Sequence, residues 1–243
     1  MSLRITGATA LRVLRQLRHD PRTVALIVLV PCLLMALLKY VFLDSPVFDR
    51  IGGPLVGLFP LVSMFLVTSI TMLRERTTGT LERLMTMPLS KLDLLLGYAA
   101  AFGLVAVAQA GVVSALSFGL LGLDVEGAGW AVIGLAVLNA LLGMALGLFV
   151  SAFARSEFQA VQFMPAFILP QILLCGLLAP RDEMAQLLYA ISWALPITYA
   201  YGALDLVTRA IYDAELAAYV LALCGFIVAA LVAGAATLRR RTA

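Results

Sequence analysis

The sequence predicts a polytopic, all-α membrane protein, and three observations point there. The 243 residues are 63% hydrophobic and only 13% charged, with a mean hydropathy of +1.03. Soluble domains usually carry about 25% charged residues, so the charges here are too few to cover a water-exposed surface. Long apolar stretches recur along the chain, and none shows the alternation of a barrel strand. Finally, the basic residues gather in alternate connections between those stretches.

A helix needs about 20 apolar residues to cross a hydrocarbon core about 30 Å thick. Six stretches qualify, at roughly 23–43, 52–73, 95–121, 129–152, 159–179 and 216–238. The chain therefore divides into a connecting helix in 1–22 and a six-helix transmembrane domain in 23–243. With the N-terminus in the cytoplasm, 13 of the 17 basic residues fall on the cytoplasmic side. That is the positive-inside pattern for an even number of spans, with both termini inside. It accounts for the net charge of +3 without a nucleic-acid partner.

Before the first span, Leu11, Leu14 and Leu17 recur at helical spacing, with Arg12, Arg15 and Arg18 on another stripe. This reads as an amphipathic helix on the cytoplasmic face, its arginines toward anionic headgroups. Pro21 marks the turn into the membrane. The long charged lead and the full-length apolar run argue against a cleaved signal peptide.

After the second span comes RERTTGTLERLMTMPLSKLD, from Arg74 to Asp93. Leu81, Leu84 and Met85 make an apolar ridge, Pro88 ends the short helix, and Ser90 with Asp93 forms a capping pair for the third span. The ridge reads either as a docking surface or as a helix resting on the membrane. In the fourth span, Ala140, Gly143, Gly147 and Ser151 form a small-residue face for close helix approach, more in keeping with intrachain packing than with a dimer seam.

On the outer side, 180–215 holds two helical runs too short to span, with Trp193, Pro196, Tyr199 and Tyr201 between and within them. Segments of 10–14 residues are often re-entrant or interfacial, and the expectation is a re-entrant hairpin over 181–208. Cys32, Cys175 and Cys224 lie in apolar stretches and read as small hydrophobes, with no disulfide or metal pattern. His19 is the single histidine. Ionisable groups are nearly absent from mid-span, where proton- or ion-coupled transporters typically carry them. That weighs against a secondary transporter.

These segments resemble a known family. Residues 74–90 and ALPITYAYGALDLV, residues 194–207, are similar to the membrane subunits of type-2 ABC exporters, in the branch of antibiotic-resistance and nodulation-factor export permeases. The resemblance covers nearly the whole chain. It implies a coupling helix at 78–88 that fits a groove in an ATPase, with Glu75, Gly79, Thr80, Leu81, Glu82, Met85, Pro88 and Ser90 matching the family segment. It also implies an outer gate at Pro196, Thr198 and Tyr199. The family often has Arg soon afterwards, whereas here Asp205 follows Leu204 and the nearest Arg is Arg209.

The chain carries no G-x-x-x-x-G-K-[ST] pattern. The resemblance thus implies a non-enzymatic subunit with no catalytic or metal residues, and a partner ATPase that binds ATP and Mg. Further partners would be a second copy of the chain or a homologous permease, and membrane lipids, in the bacterial inner membrane. Phe59, Phe65, Phe102, Phe163, Phe167, Gln162 and Gln171 are the candidates to line a mostly apolar pathway. The expected cargo is a drug, antibiotic or other amphipathic molecule. A cell-envelope lipid, glycolipid or polysaccharide is the alternative, and a non-transport assembly protein is a weaker one. On this reading, Leu81→Asp or Met85→Asp uncouples ATP hydrolysis from export while the protein stays in the membrane, measured by paired hydrolysis and transport assays.

Overall fold

The computed structural model describes residues 3–43, 46–80 and 91–237, and every regular element among them is helical. In chain order they are α1 (Leu3–Arg18), α2 (Pro21–Val41), α3 (Val47–Thr77), α4 (Lys91–Ala115), α5 (Gly129–Val150), α6 (Glu157–Leu174), α7 (Gln186–Ser192), α8 (Pro196–Thr208) and α9 (Ala214–Ala236). A π-helical turn, Leu116–Leu120, extends α4. The segment 81–90, which carries most of the expected coupling helix, lies outside the described residues.

Among the described residues, five helical stretches are long and apolar enough to cross a membrane: Pro21–Val41, Val47–Thr77, Asp93–Leu120, Gly129–Val150 and Ala214–Ala236. The pair α7–α8, bent by 86°, makes a sixth if it is counted as one span. The expected span at 159–179 is helical only from Glu157 to Leu174. Its 18 residues give roughly 27 Å of helix. Pro165 and Pro170 interrupt its hydrogen bonding, and Gly176, at φ +103°, turns the chain away.

At the centre of the bundle α3, 31 residues and roughly 46 Å long, packs along α5. The small-residue face makes this possible. A Cβ on Gly143 would stand 2.0 Å from the Leu61 carbonyl oxygen, and one on Gly147 would stand 2.1 Å from Thr68 Oγ1. The Thr68 hydroxyl reaches the Met64 carbonyl of its own helix at 2.7 Å and lies 3.3 Å from the Met144 carbonyl of α5. The face is therefore an intrachain seam.

α1 does not rest on its leucine stripe alone. Its buried positions are Thr9, Val13 and Leu17, and Leu11 is half-exposed. The reason is α4: Gly97 leaves a notch into which Thr9 fits, a Cβ there falling 2.5 Å from Thr9 Cβ. α2 is anchored at its start by Asp20, whose carboxylate accepts from the Thr23 amide at 3.2 Å and the Thr23 hydroxyl at 2.6 Å. Those bonds, the hydroxyl first, hold the Asp20 carboxyl below its usual range. The outer faces of α2 and α9 are exposed and apolar, as surfaces turned toward lipid should be. Cys224 sits on the exposed side of α9 and Cys32 is half-buried, so only Cys175 is a core residue.

The seam can be tested on a single helix. Gly147→Leu should destabilise the bundle by about 3 kcal/mol through overpacking, read as a lower thermal midpoint in detergent. Gly134→Leu, also on α5 but facing open space, should leave the midpoint nearly unchanged.

Candidate functional site

Successive residues of a helix point about 100° apart. Three consecutive charged residues at a helix end can therefore reach three different neighbours, and at the end of α3 they do. Arg74 forms a two-pronged pair with Glu157 of α6, its Nε and Nη2 donating at 2.6 and 3.0 Å. Glu75 turns inward to α1, where Gln16 Nε2 donates to its Oε1 at 3.3 Å and Arg12 Nη2 stands 3.5 Å from the same atom. Arg12 also donates to the hydroxyl of Tyr98 on α4 and lies 5.7 Å from the centre of its ring. Arg76 Nη2 donates to Thr237 Oγ1, just past α9, at 3.1 Å.

These contacts differ in strength. Glu75 and Tyr98 are buried, so their contacts with Arg12 are weakly screened. Arg74 and Glu157 are each more than half exposed, and their pair is worth less. Immediately beyond this hub α3 stops. Gly79, at φ +72°, provides the left-handed turn that ends it, and the Thr80 hydroxyl lies 3.0 Å from that of Thr78. The segment expected to dock an ATPase is thus attached where α3 is tied to α1, α4, α6 and α9.

A second constellation surrounds the bend between α7 and α8. A helix end leaves its last carbonyls unpaired. Thr198 Oγ1 donates to the Ser192 carbonyl at 2.7 Å, and the Tyr199 hydroxyl donates to the Trp193 carbonyl at 2.6 Å. Two residues of α8 thereby latch the end of α7. Pro196 opens α8, fixing its first turn. Tyr199 then stacks edge-on with Trp193 and Tyr219, at 6.3 and 5.7 Å between ring centres. α8 is buried between α3, α5, α6 and α9, whereas Leu187, Leu188 and Ile191 of α7 are exposed.

The sequence pattern of the ABC-2 type transporter family matches residues 6–207. The chain belongs to this family. It is a multi-pass membrane protein of an ABC permease family. Over 145 residues it is 28% identical to the probable multidrug ABC transporter permease YbhR of Escherichia coli, covering 60% of this chain and 39% of that one. Over 138 residues it is 30% identical to the inner membrane transport permease YhhJ of E. coli, covering 55% and 36%. The ABC transporter G family member 20 of Dictyostelium discoideum is 24% identical over 161 residues, 66% of this chain and 22% of that protein. The matched region thus spans well under half the length of these relatives.

Within this ABC-2 permease the candidate residues separate. Glu75, Gly79 and Thr80 sit at the hub, while Leu81, Glu82, Met85 and Pro88 lie outside the described residues. Pro196, Thr198 and Tyr199 come together at the bend. Phe59 borders a groove of about 750 Å³ between α2, α3 and α6, with apolar walls including Leu34, Val62 and Leu66, and with Asp20, Thr23 and Arg74 at one end. Phe65 stacks on Phe167 at 5.9 Å with planes 7° apart, Phe163 is partly buried against the core, and Gln162 is exposed. Phe102 lies apart from these, buried and stacked on Tyr98 behind α1.

Gln171 links α6 to α8. Its Oε1 accepts from the Ile197 amide at 3.4 Å, capping α8 from a neighbouring helix. A parallel case escapes sequence reasoning. Pro31 has no N–H, so the Ile27 carbonyl four residues earlier lacks its helical donor. Gln109 Nε2 of α4 supplies one at 2.7 Å and also contacts Ser63 Oγ of α3. The available signal is a lone Gln in one apolar run and a lone Pro in another.

Breaking the hub should show its internal ranking. Glu75→Ala should destabilise the protein by about 2 kcal/mol, because it removes a buried carboxylate that Arg12 and Gln16 both engage. Glu157→Gln should cost about 0.5 kcal/mol. Denaturant unfolding in detergent, followed by tryptophan fluorescence, measures both.

Proposed function

We propose that this chain is the transmembrane subunit of an ATP-driven exporter that moves a drug, antibiotic or other amphipathic molecule out of the cell. It would act with a second permease copy or homologue and with separate ATPase subunits, in the bacterial inner membrane, with both termini in the cytoplasm. The observation that carries this reading is the hub at Arg74, Glu75 and Arg76. A push on the following segment reaches α3 first, and the hub's contacts pass it to α1, α4, α6 and α9. Rigid tilting of these helices would then open a route between two permease subunits. Family membership, the basic bias of alternate connections and the multidrug label of YbhR support the same reading.

An amphipathic cargo is favoured by the groove between α2, α3 and α6, which joins apolar walls to a polar end. The same shape would suit a cell-envelope lipid, the second reading. Purification with the native ATPase, reconstitution in liposomes and a survey of compounds decides between them. On the first reading amphipathic drugs raise ATP hydrolysis severalfold, and on the second only envelope lipids do. Failure of any ATPase to copurify, with transport driven by a proton gradient alone, would overturn both.

A further inference from the structure

A second cavity opens at the Val47 end of α3, far along the helix from the hub. It measures about 630 Å³ and lies between the start of α3, the segment after α6, α8 and the start of α9. Its lining carries Arg50, Arg181 and Arg209 against Asp205 and Glu215, leaving one positive charge in excess. Both carboxylates are already engaged. Asp205 pairs with Arg209 at 3.0 Å, and Glu215 Oε1 accepts from the Tyr219 hydroxyl at 2.5 Å. Arg50 and Arg181 therefore face the cavity with no carboxylate partner among the described residues.

Arg181 is held in place. Its guanidinium lies 4.1 Å from the centre of the Trp193 ring and 5.3 Å from that of Tyr189, and its Nε and Nη2 donate to Ser192 Oγ at 3.1 and 2.9 Å. Gly176 keeps the wall thin: a Cβ there would stand 3.3 Å from both Arg181 Cγ and Tyr201 Cε1. The Tyr201 side chain borders the same space, and Ile51 and Leu177 supply an apolar side. A fixed guanidinium, a second and more exposed one, and a phenol beside an apolar wall suit a tetrahedral oxyanion, since guanidinium forks match phosphate oxygens.

We propose that this cavity binds a phosphate group, carried by a lipid headgroup or free as inorganic phosphate. Bound there, the anion joins Arg50 of α3 to Arg181, whose stacking on Trp193 connects it to the α7–α8 latch. The site thus steadies the bend against α3.

The test uses the full chain purified from membranes, with no ATPase needed. Bound lipids are counted by native mass spectrometry after incubation with vesicles of phosphatidylglycerol or of a galactosyl diacylglycerol with matched chains. Thermal unfolding is followed in parallel with sodium phosphate. Preferential retention of phosphatidylglycerol, reduced about tenfold by Arg50→Gln, supports a lipid source. Stabilisation by sodium phosphate, abolished by Arg50→Gln, supports a free anion. Arg181→Gln should act in the same direction, but Arg50 is exposed and forms no ion pair among the described residues, so its variant decides even if Arg181→Gln fails to fold. Arg155→Gln, at an exposed loop position elsewhere, should leave both readouts alone. Equal retention of the two lipids together with no effect of phosphate, or a preference that survives Arg50→Gln, overturns the proposal.

Discussion

Close contact between α3 and α5 is the constraint on which the rest depends. Lipid tails are as apolar as leucine, so helices in a bilayer gain little from hydrophobic burial against one another. They gain from dispersion across surfaces that fit, and the glycines of α5 bring one backbone against another. With that axis set, one end of α3 presents Arg74, Glu75 and Arg76 to separate neighbours. Its other end borders α8, where Leu204 reaches Gly57 and Thr208 reaches Gly53.

The polar side chains inside the bundle share a theme. Gln109, Gln171 and Tyr199 each satisfy a backbone group that a proline or a helix end has left without a partner, and Thr198 adds a second donor to the Ser192 carbonyl. In an apolar medium such a group costs several kcal/mol if left bare. Gln171, Thr198 and Tyr199 are candidates for cargo contact or gating on sequence grounds, and their hydrogen bonds give them a structural part as well. Arg181 spans both categories, since it is stacked against aromatics and still turned to a cavity.

What is legible in the sequence follows from the periods it contains. Long apolar runs are strong signals, and α2, α3, α4, α5 and α9 lie over such runs. The small-residue face of α5 is legible because glycines four apart have few other uses in such a run. Pairings across the chain are not. Arg12 with Glu75 and Arg74 with Glu157 join residues far apart in the chain, and nothing local selects these partners over other charges. The buried stripe of α1 shows the same limit. The pattern favours Leu11, but a glycine in α4 draws Thr9 inward instead.

The bond from Gln109 to the Ile27 carbonyl has a mechanical corollary. Because the donor that Pro31 lacks comes from α4, the hydrogen bonding of α2 is completed by a different helix. Sliding the two past each other by one turn, about 5.4 Å, would strand that carbonyl in hydrocarbon. The bond therefore favours arrangements in which these two helices keep their register along each other.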